Sequence, residues 1–141
     1  MKSTFPILCI LSLVACSTKN SENNDGSTEE WKEMDSFHMI MAESFHPYKD
    51  SANLAPAKSL AKEMAEEAGK WASVELPDKV KSDEMKDKLQ NLSDGSQNFL
   101  KLISENAPDS VIGKSLTDLH NLFHQVQEGW YGGKDEEHEH H

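Results

Sequence analysis

Residues 108–133 read PDSVIGKSLTDLHNLFHQVQEGWYGG, and their apolar side chains recur at the spacing of one helix face. Such a stripe is typical of an α-helix that packs one side against a core. We expect the helix to follow Pro108-Asp109 and to end at Gly132-Gly133, because glycine adopts the left-handed cap without a steric penalty. The stripe consists of Ile112, Leu116, Leu119, Phe123, Val126 and Trp130.

Three earlier segments have the same periodicity. The first begins with a capping box at Ser27 and is expected to end at Pro47, because the residue before proline avoids the helical region. The second begins near Pro56 and the third near Ser82, with a break signal at Asp94-Gly95. The predicted stripes are Trp31, Met34, His38, Met41 and Phe45 in the first helix, Leu60, Met64, Ala68 and Trp71 in the second, and Met85, Leu89, Leu92, Ser96, Phe99 and Ile103 in the third.

Four amphipathic helices with short connections predict an all-α protein. The simplest packing is an antiparallel up-down-up-down four-helix bundle, here over residues 28–133. Residues 16–27 contain no apolar side chain between Cys16 and Ser27, and they are expected to form a flexible tether. Residues 134–141, KDEEHEHH, are expected to form a disordered acidic and histidine-rich tail.

The N-terminus, MKSTFPILCILSLVAC, predicts the compartment. Its apolar run is too short for a permanent membrane span and fits a signal peptide over residues 1–15. The run ends Leu13-Val14-Ala15-Cys16, which resembles a bacterial lipobox. That resemblance implies cleavage before Cys16, acylation of its thiol with chains such as palmitate, and anchoring to the lipid bilayer of the cell envelope. The outer membrane is the expected site, facing the periplasm or the cell surface, and the alternative is an ordinary cleaved signal.

Charge and cysteine content exclude several classes of protein. The formal net charge of −11 argues against a nucleic-acid partner, which requires a basic face. Cys9 and Cys16 are both assigned to the N-terminal segment, so no thiol is left for a disulfide, a cysteine-based zinc site or a nucleophile. Phosphate-binding loops, GxSxG and HExxH are absent, as are inward Glu-x-x-His pairs, and we do not expect an enzyme.

Histidines of the first and last helices are predicted to meet. If Trp31 lies level with Trp130, then His38 faces Phe123, between His120 and His124. His120 and His124 are four residues apart and share one helix face. Imidazole suits zinc, copper and nickel, and thioethers favour cuprous ions. The predicted metal ligands are His38, His120 and His124, with Met34 or Met41 as a sulfur donor and His46 as a weaker candidate.

These patterns leave three functions open. The first is a membrane-anchored envelope protein that binds a transition-metal ion (copper, zinc or nickel) for sensing, buffering or transfer, with an envelope protein as a further partner. The second is a metal-free helical adaptor, in which the histidines only hydrogen-bond to neighbours such as Asp35 and Glu128. The chain also resembles small bacterial envelope lipoproteins of unsettled function.

The ligand-capable residues in the first and last helices also give the chain an architectural resemblance to the b-type and c-prime cytochromes. That resemblance implies a third function, a carrier of non-covalent haem b. Its axial ligands would be a methionine of the first helix and a histidine of the last. The CxxCH motif of the c-prime branch is absent.

Overall fold

The computed structural model describes residues 30–132, and the regular structure within this range is entirely helical. Its helices are α1 (Lys32–Ser51), α2 (Ala55–Ser73), α3 (Asp83–Ser104) and α4 (Asp109–Tyr131), with a short 3-10 helix at Asp78–Val80. The predicted four-helix, all-α fold is confirmed. None of these helices is long and apolar enough to cross a membrane. The predicted signal peptide, Cys16, the tether, Ser27 and the tail at 134–141 lie outside the described residues. The predicted helix from Ser27 is wrong at Trp31, which is an extended N-cap, and α1 begins at Lys32.

Contacts between helix ends agree with the predicted up-down-up-down arrangement. Trp31, beside the start of α1, lies against Trp71 near the end of α2 and Trp130 near the end of α4, at ring-centroid distances of 5.1 Å and 5.2 Å. At the other end of the bundle, Lys58 near the start of α2 pairs with Asp109 at the start of α4 over 2.6 Å. The end of α1 therefore meets the start of α4, and the two helices present their faces to each other along their length.

The apolar stripe of α4 is buried as predicted, and every one of its six members is at most 2% exposed. The helix ends at Tyr131, so the predicted end at Gly132-Gly133 is correct in position. The cap conformation is different, because Gly132 has φ −69° and ψ −9° in the right-handed region. The expected left-handed glycine cap is therefore wrong at Gly132.

Helix α1 continues beyond Pro47, and the predicted end at that residue is wrong. The helix runs to Ser51 and ends at Ala52, whose φ of 55° is left-handed. The N–H groups of Ala52 and Asn53 donate to the carbonyls of Tyr48 and Pro47 at 2.8 Å and 3.1 Å. These bonds satisfy the last carbonyls of the helix, which is the usual role of a left-handed cap. One missing N–H at proline is tolerated inside a helix whose end is held in this way.

The buried face of α1 is centred differently from the predicted stripe. Phe37 is 0% exposed, whereas His38 is exposed to solvent. Ser44 is also 0% exposed, and Phe45 is only partly buried. The buried arc of α1 passes through Met34, Phe37, Ile40, Met41 and Ser44, so it is rotated toward Phe37 and Ile40 relative to the predicted stripe. His38 is therefore at the edge of the helix interface, and its predicted place in the core is wrong.

Helix α3 begins and continues as one element. Ser82 is its N-cap as predicted, and its hydroxyl accepts a hydrogen bond from the Met85 N–H at 3.1 Å. The predicted break at Asp94-Gly95 is wrong, because the helix is continuous through both residues. A Cβ at Gly95 would lie 2.9 Å from Cδ2 of Leu119. Glycine is used here for the close approach of α3 and α4, and its lower helix propensity is outweighed by that packing.

Candidate metal-binding site

Two histidines of α4 converge on one point of the protein surface. The Nε2 atoms of His120 and His124 are 3.2 Å apart, and their rings are nearly perpendicular at 84° with centroids 4.3 Å apart. Their i, i+4 spacing places both rings on one face of the helix. His124 is exposed and His120 is partly buried. Without a metal, this contact is a hydrogen bond in which one ring donates and the other accepts.

The predicted register of α1 relative to α4 is confirmed. Trp31 meets Trp130, and the ring of His38 stacks on Phe123 with centroids 5.4 Å apart and planes at 27°. The ring of Phe45 stacks on His120 more closely, at 3.8 Å and 13°. Two aromatic contacts therefore join the histidine-bearing faces of α1 and α4, and one of them fixes the plane of the His120 ring.

His120 is kept in its neutral form by its surroundings. Burial is the largest cause that lowers its pKa, followed by the charges of His124, Lys49, His46 and His38, and together they bring the pKa from 6.5 to about 4. Desolvation disfavours the charged imidazolium, and nearby positive charges act in the same direction. A neutral imidazole has a free lone pair, which is the form that binds a metal ion.

The two predicted methionine ligands lie in the core. Met34 and Met41 are 2% and 1% exposed and belong to the main apolar cluster of the bundle. They pack there as flexible fillers of irregular space, a common role of methionine. The histidine pair lies at the surface, so the structure does not bring either sulfur to the exposed side of that pair. His46 is exposed on α1, close enough for its charge to act on His120.

Two metal-binding nitrogens, those of His120 and His124, are already close together. Within residues 30–132, no three His, Cys, Asp or Glu side chains are grouped closely enough to hold a metal ion. His38 is engaged with the face of Phe123 and would have to leave that contact to join the pair. Among the described residues, His120 and His124 therefore supply the formed part of the predicted site, with His38 and His46 beside it.

Sequence reasoning missed Lys49 and the role of Phe45. Lys49 follows Phe45 by four residues, so the two lie on the same face of α1, above His120. The i, i+4 spacing of Phe45 and Lys49 was the available signal. This spacing is informative only because α1 continues through Pro47.

The interior where haem would insert is filled by side chains. Phe37, Trp71 and Phe123 are each at most 1% exposed, and their ring centroids are 5.4–6.3 Å apart. Met34 belongs to this packed interior, whereas His120 lies at the surface. These residues do not fit a haem held between Met34 and His120 without repacking of the core.

Comparisons of the chain with protein families, with known proteins and with solved structures found no match. The histidine pair and the N-terminal sequence are therefore the features of the chain that bear on its function.

Proposed function

We propose that this protein is a lipid-anchored protein of the cell envelope that binds a transition-metal ion through His120 and His124. The lipobox-like sequence at Cys16 supports the anchor and the compartment. The histidine pair at the α1–α4 interface supports the metal-binding activity.

The observation that carries the proposal is the distance of 3.2 Å between the two Nε2 atoms. With metal–nitrogen bonds of about 2.0–2.1 Å, two imidazoles on one tetrahedral ion are about 3.3 Å apart. A tetragonal ion with right-angled ligands brings them to about 2.9 Å. The pair therefore has the separation of two ligands of one ion before any ion is bound.

The surroundings of the pair favour exchange of the ion over permanent storage. Two ligands leave several coordination positions open, and the exposed ring of His124 leaves them accessible from solvent. The positive charge of Lys49 acts on His120 and opposes a bound cation. An open site with a cation beside it suits buffering or transfer of a metal ion to another envelope component.

Metal titration of the full chain in detergent tests the proposal. His138, His140 and His141 are replaced by serine in every sample, so that the tail cannot contribute metal ligands. Zinc, cupric, cuprous and nickel ions are titrated by calorimetry into this background and into its His120→Ala and His124→Ala variants.

We expect saturable binding that both alanine variants abolish while their helical circular dichroism is unchanged. His38→Ala is the matched control, since it removes a nearby histidine and leaves the pair intact. Binding that survives in both pair variants would contradict the proposed site. Binding no tighter than the millimolar range would assign the histidines a structural role and favour the metal-free adaptor.

A further inference from the structure

The histidine pair satisfies only half of a four-coordinate ion. Zinc in protein sites takes about four ligands in tetrahedral geometry. The part of the chain that the structure describes offers two preassembled nitrogens and no third His, Cys, Asp or Glu grouped with them. A complete protein site therefore requires donors from elsewhere.

Two segments beside the pair carry no charged side chain in a chain of net charge −11, and Lys49 lies at their edge. Residues 119–127 of α4 contain no Asp, Glu, Lys or Arg, and neither do residues 36–42 of α1. The stacked rings of His38 and Phe123 join the two segments. Met39 lies in the α1 segment and is 72% exposed. We call residues 36–42 and 119–127 together the uncharged surface.

We propose that a second copy of this chain completes the metal site, so that two His120–His124 pairs bind one zinc ion across a two-fold axis. This inference depends on the proposed metal-binding function and names the partner at the same site. In a two-fold dimer each copy presents the same patch, so a pair of ligands on one copy necessarily meets the same pair on the other. Two histidine pairs supply the four nitrogens of a tetrahedral ion.

The charge distribution favours this partner at this place. Two chains of net charge −11 repel each other over most of their surfaces. Their repulsion is weakest where the uncharged surface of one chain meets the uncharged surface of the other. A bridging divalent cation lowers the repulsion further. Because the direct contact area around one ion is small, we expect the dimer to form only with the metal.

Completion of the metal site by His38 of the same chain is less favourable. His38 would have to leave its stacking contact with Phe123, at 5.4 Å, to reach the ion. A ligand from a second copy requires no such rearrangement, because His120 and His124 already converge.

Zinc stoichiometry and mass together test the dimer. The full chain in detergent, with the three tail histidines replaced by serine, is titrated with zinc by calorimetry. The same samples are then sedimented in density-matched detergent, with zinc and with a chelator. We expect one zinc ion for every two chains and an about twofold rise in protein mass with zinc.

His124→Ala is expected to remain monomeric at every zinc concentration, and His38→Ala, the control that keeps the pair, is expected to dimerise as the parent does. A monomer that binds one zinc ion per chain would overturn the dimer and leave the proposed metal-binding function standing. Loss of zinc binding in His38→Ala would also overturn the dimer, because it would place a third ligand in the same chain. A parent chain that binds no zinc would overturn the dimer, and the proposed metal-binding function would fall with it only if copper and nickel ions also fail to bind.

Discussion

Acidification of the metal-free protein should remove a specific part of its stability through His120. The pKa of this residue is about 4 in the folded chain and 6.5 for an ordinary histidine. Between these values the unfolded chain binds more protons than the folded chain, so stability falls as the pH falls from 6.5 to about 4. Above pH 6.5 this contribution is fully present and constant.

The size of the effect follows from the two pKa values. A difference between 6.5 and about 4 corresponds to at most about 3 to 4 kcal/mol, at about 1.4 kcal/mol for each pH unit. The ring of His120 is only partly buried, and solvent screens the charges of Lys49 and the other histidines. We therefore expect a loss of about 1 to 2 kcal/mol.

Urea unfolding at a series of pH values between 4 and 8, in the presence of a chelator, measures this loss. Carboxylates also titrate near pH 4, so the informative quantity is the difference between the parent chain and His120→Gln, which has no imidazole to protonate. The parent should lose about 1 to 2 kcal/mol more than this variant on going from pH 7 to pH 4. Equal losses in the parent and His120→Gln would refute the argument that burial holds this ring neutral.

Three further predictions concern packing and caps, each measured as the free energy of unfolding. Ser44→Ala should raise it by about 1 kcal/mol, because the Ser44 hydroxyl is buried without a hydrogen-bond partner among the described residues. Ser96→Ala, the matched control, should give no gain, because its buried hydroxyl donates to a backbone carbonyl at 2.8 Å. Gly113→Ala should lower the free energy of unfolding, because a Cβ there would overlap the Tyr48 ring. The same substitution in a Tyr48→Ala background should raise it by about 1 kcal/mol through helix propensity. Ser82→Ala should cost about 1 kcal/mol, because it removes the cap of α3.

Helices α3 and α4 were the most predictable from the sequence. Helix α4 buries every residue of its predicted stripe, because it faces the core with a single narrow set of side chains. Helix α3 was predicted from Ser82 onward for the same reason, and only Gly95 misled the prediction. Glycine signals a break when it is read alone. In the fold it serves close packing against Leu119, which is a tertiary fact that the local sequence does not contain.

Helix α1 was less predictable because its sequence contains two overlapping apolar stripes that share Met34 and Met41. A single stripe through Met34, His38 and Met41 fits the sequence, but the core also takes Phe37 and Ile40. Proline at 47 normally ends a helix, and here the bonds from Ala52 and Asn53 back into the last turn hold a further four residues in the helix. Neither outcome follows from local propensity alone, because both depend on packing.

The register between α1 and α4 was nevertheless predicted correctly, and it determined which residues meet. Aligning Trp31 with Trp130 placed His38 level with Phe123, and the two rings stack. The rotation of α1 about its own axis was the error. A change of register by one turn would have moved every contact, whereas the rotation changed only which side chains point inward.

That rotation changes the kind of site the protein can form. With His38 in the core, as predicted, the ligands would have surrounded an ion or a haem inside the bundle, closed to solvent. With Phe37 in the core, the histidines lie at the outer edge of the α1–α4 interface, where His124 is exposed and the convergent pair opens outward. An interior site would retain its ion or haem, because release requires the helices to separate. A surface pair with two nitrogens needs a partner to complete it, and so couples metal binding to association. Because Phe37 and not His38 lies in the core, the histidines form an open surface site, from which a metal ion can pass to a partner.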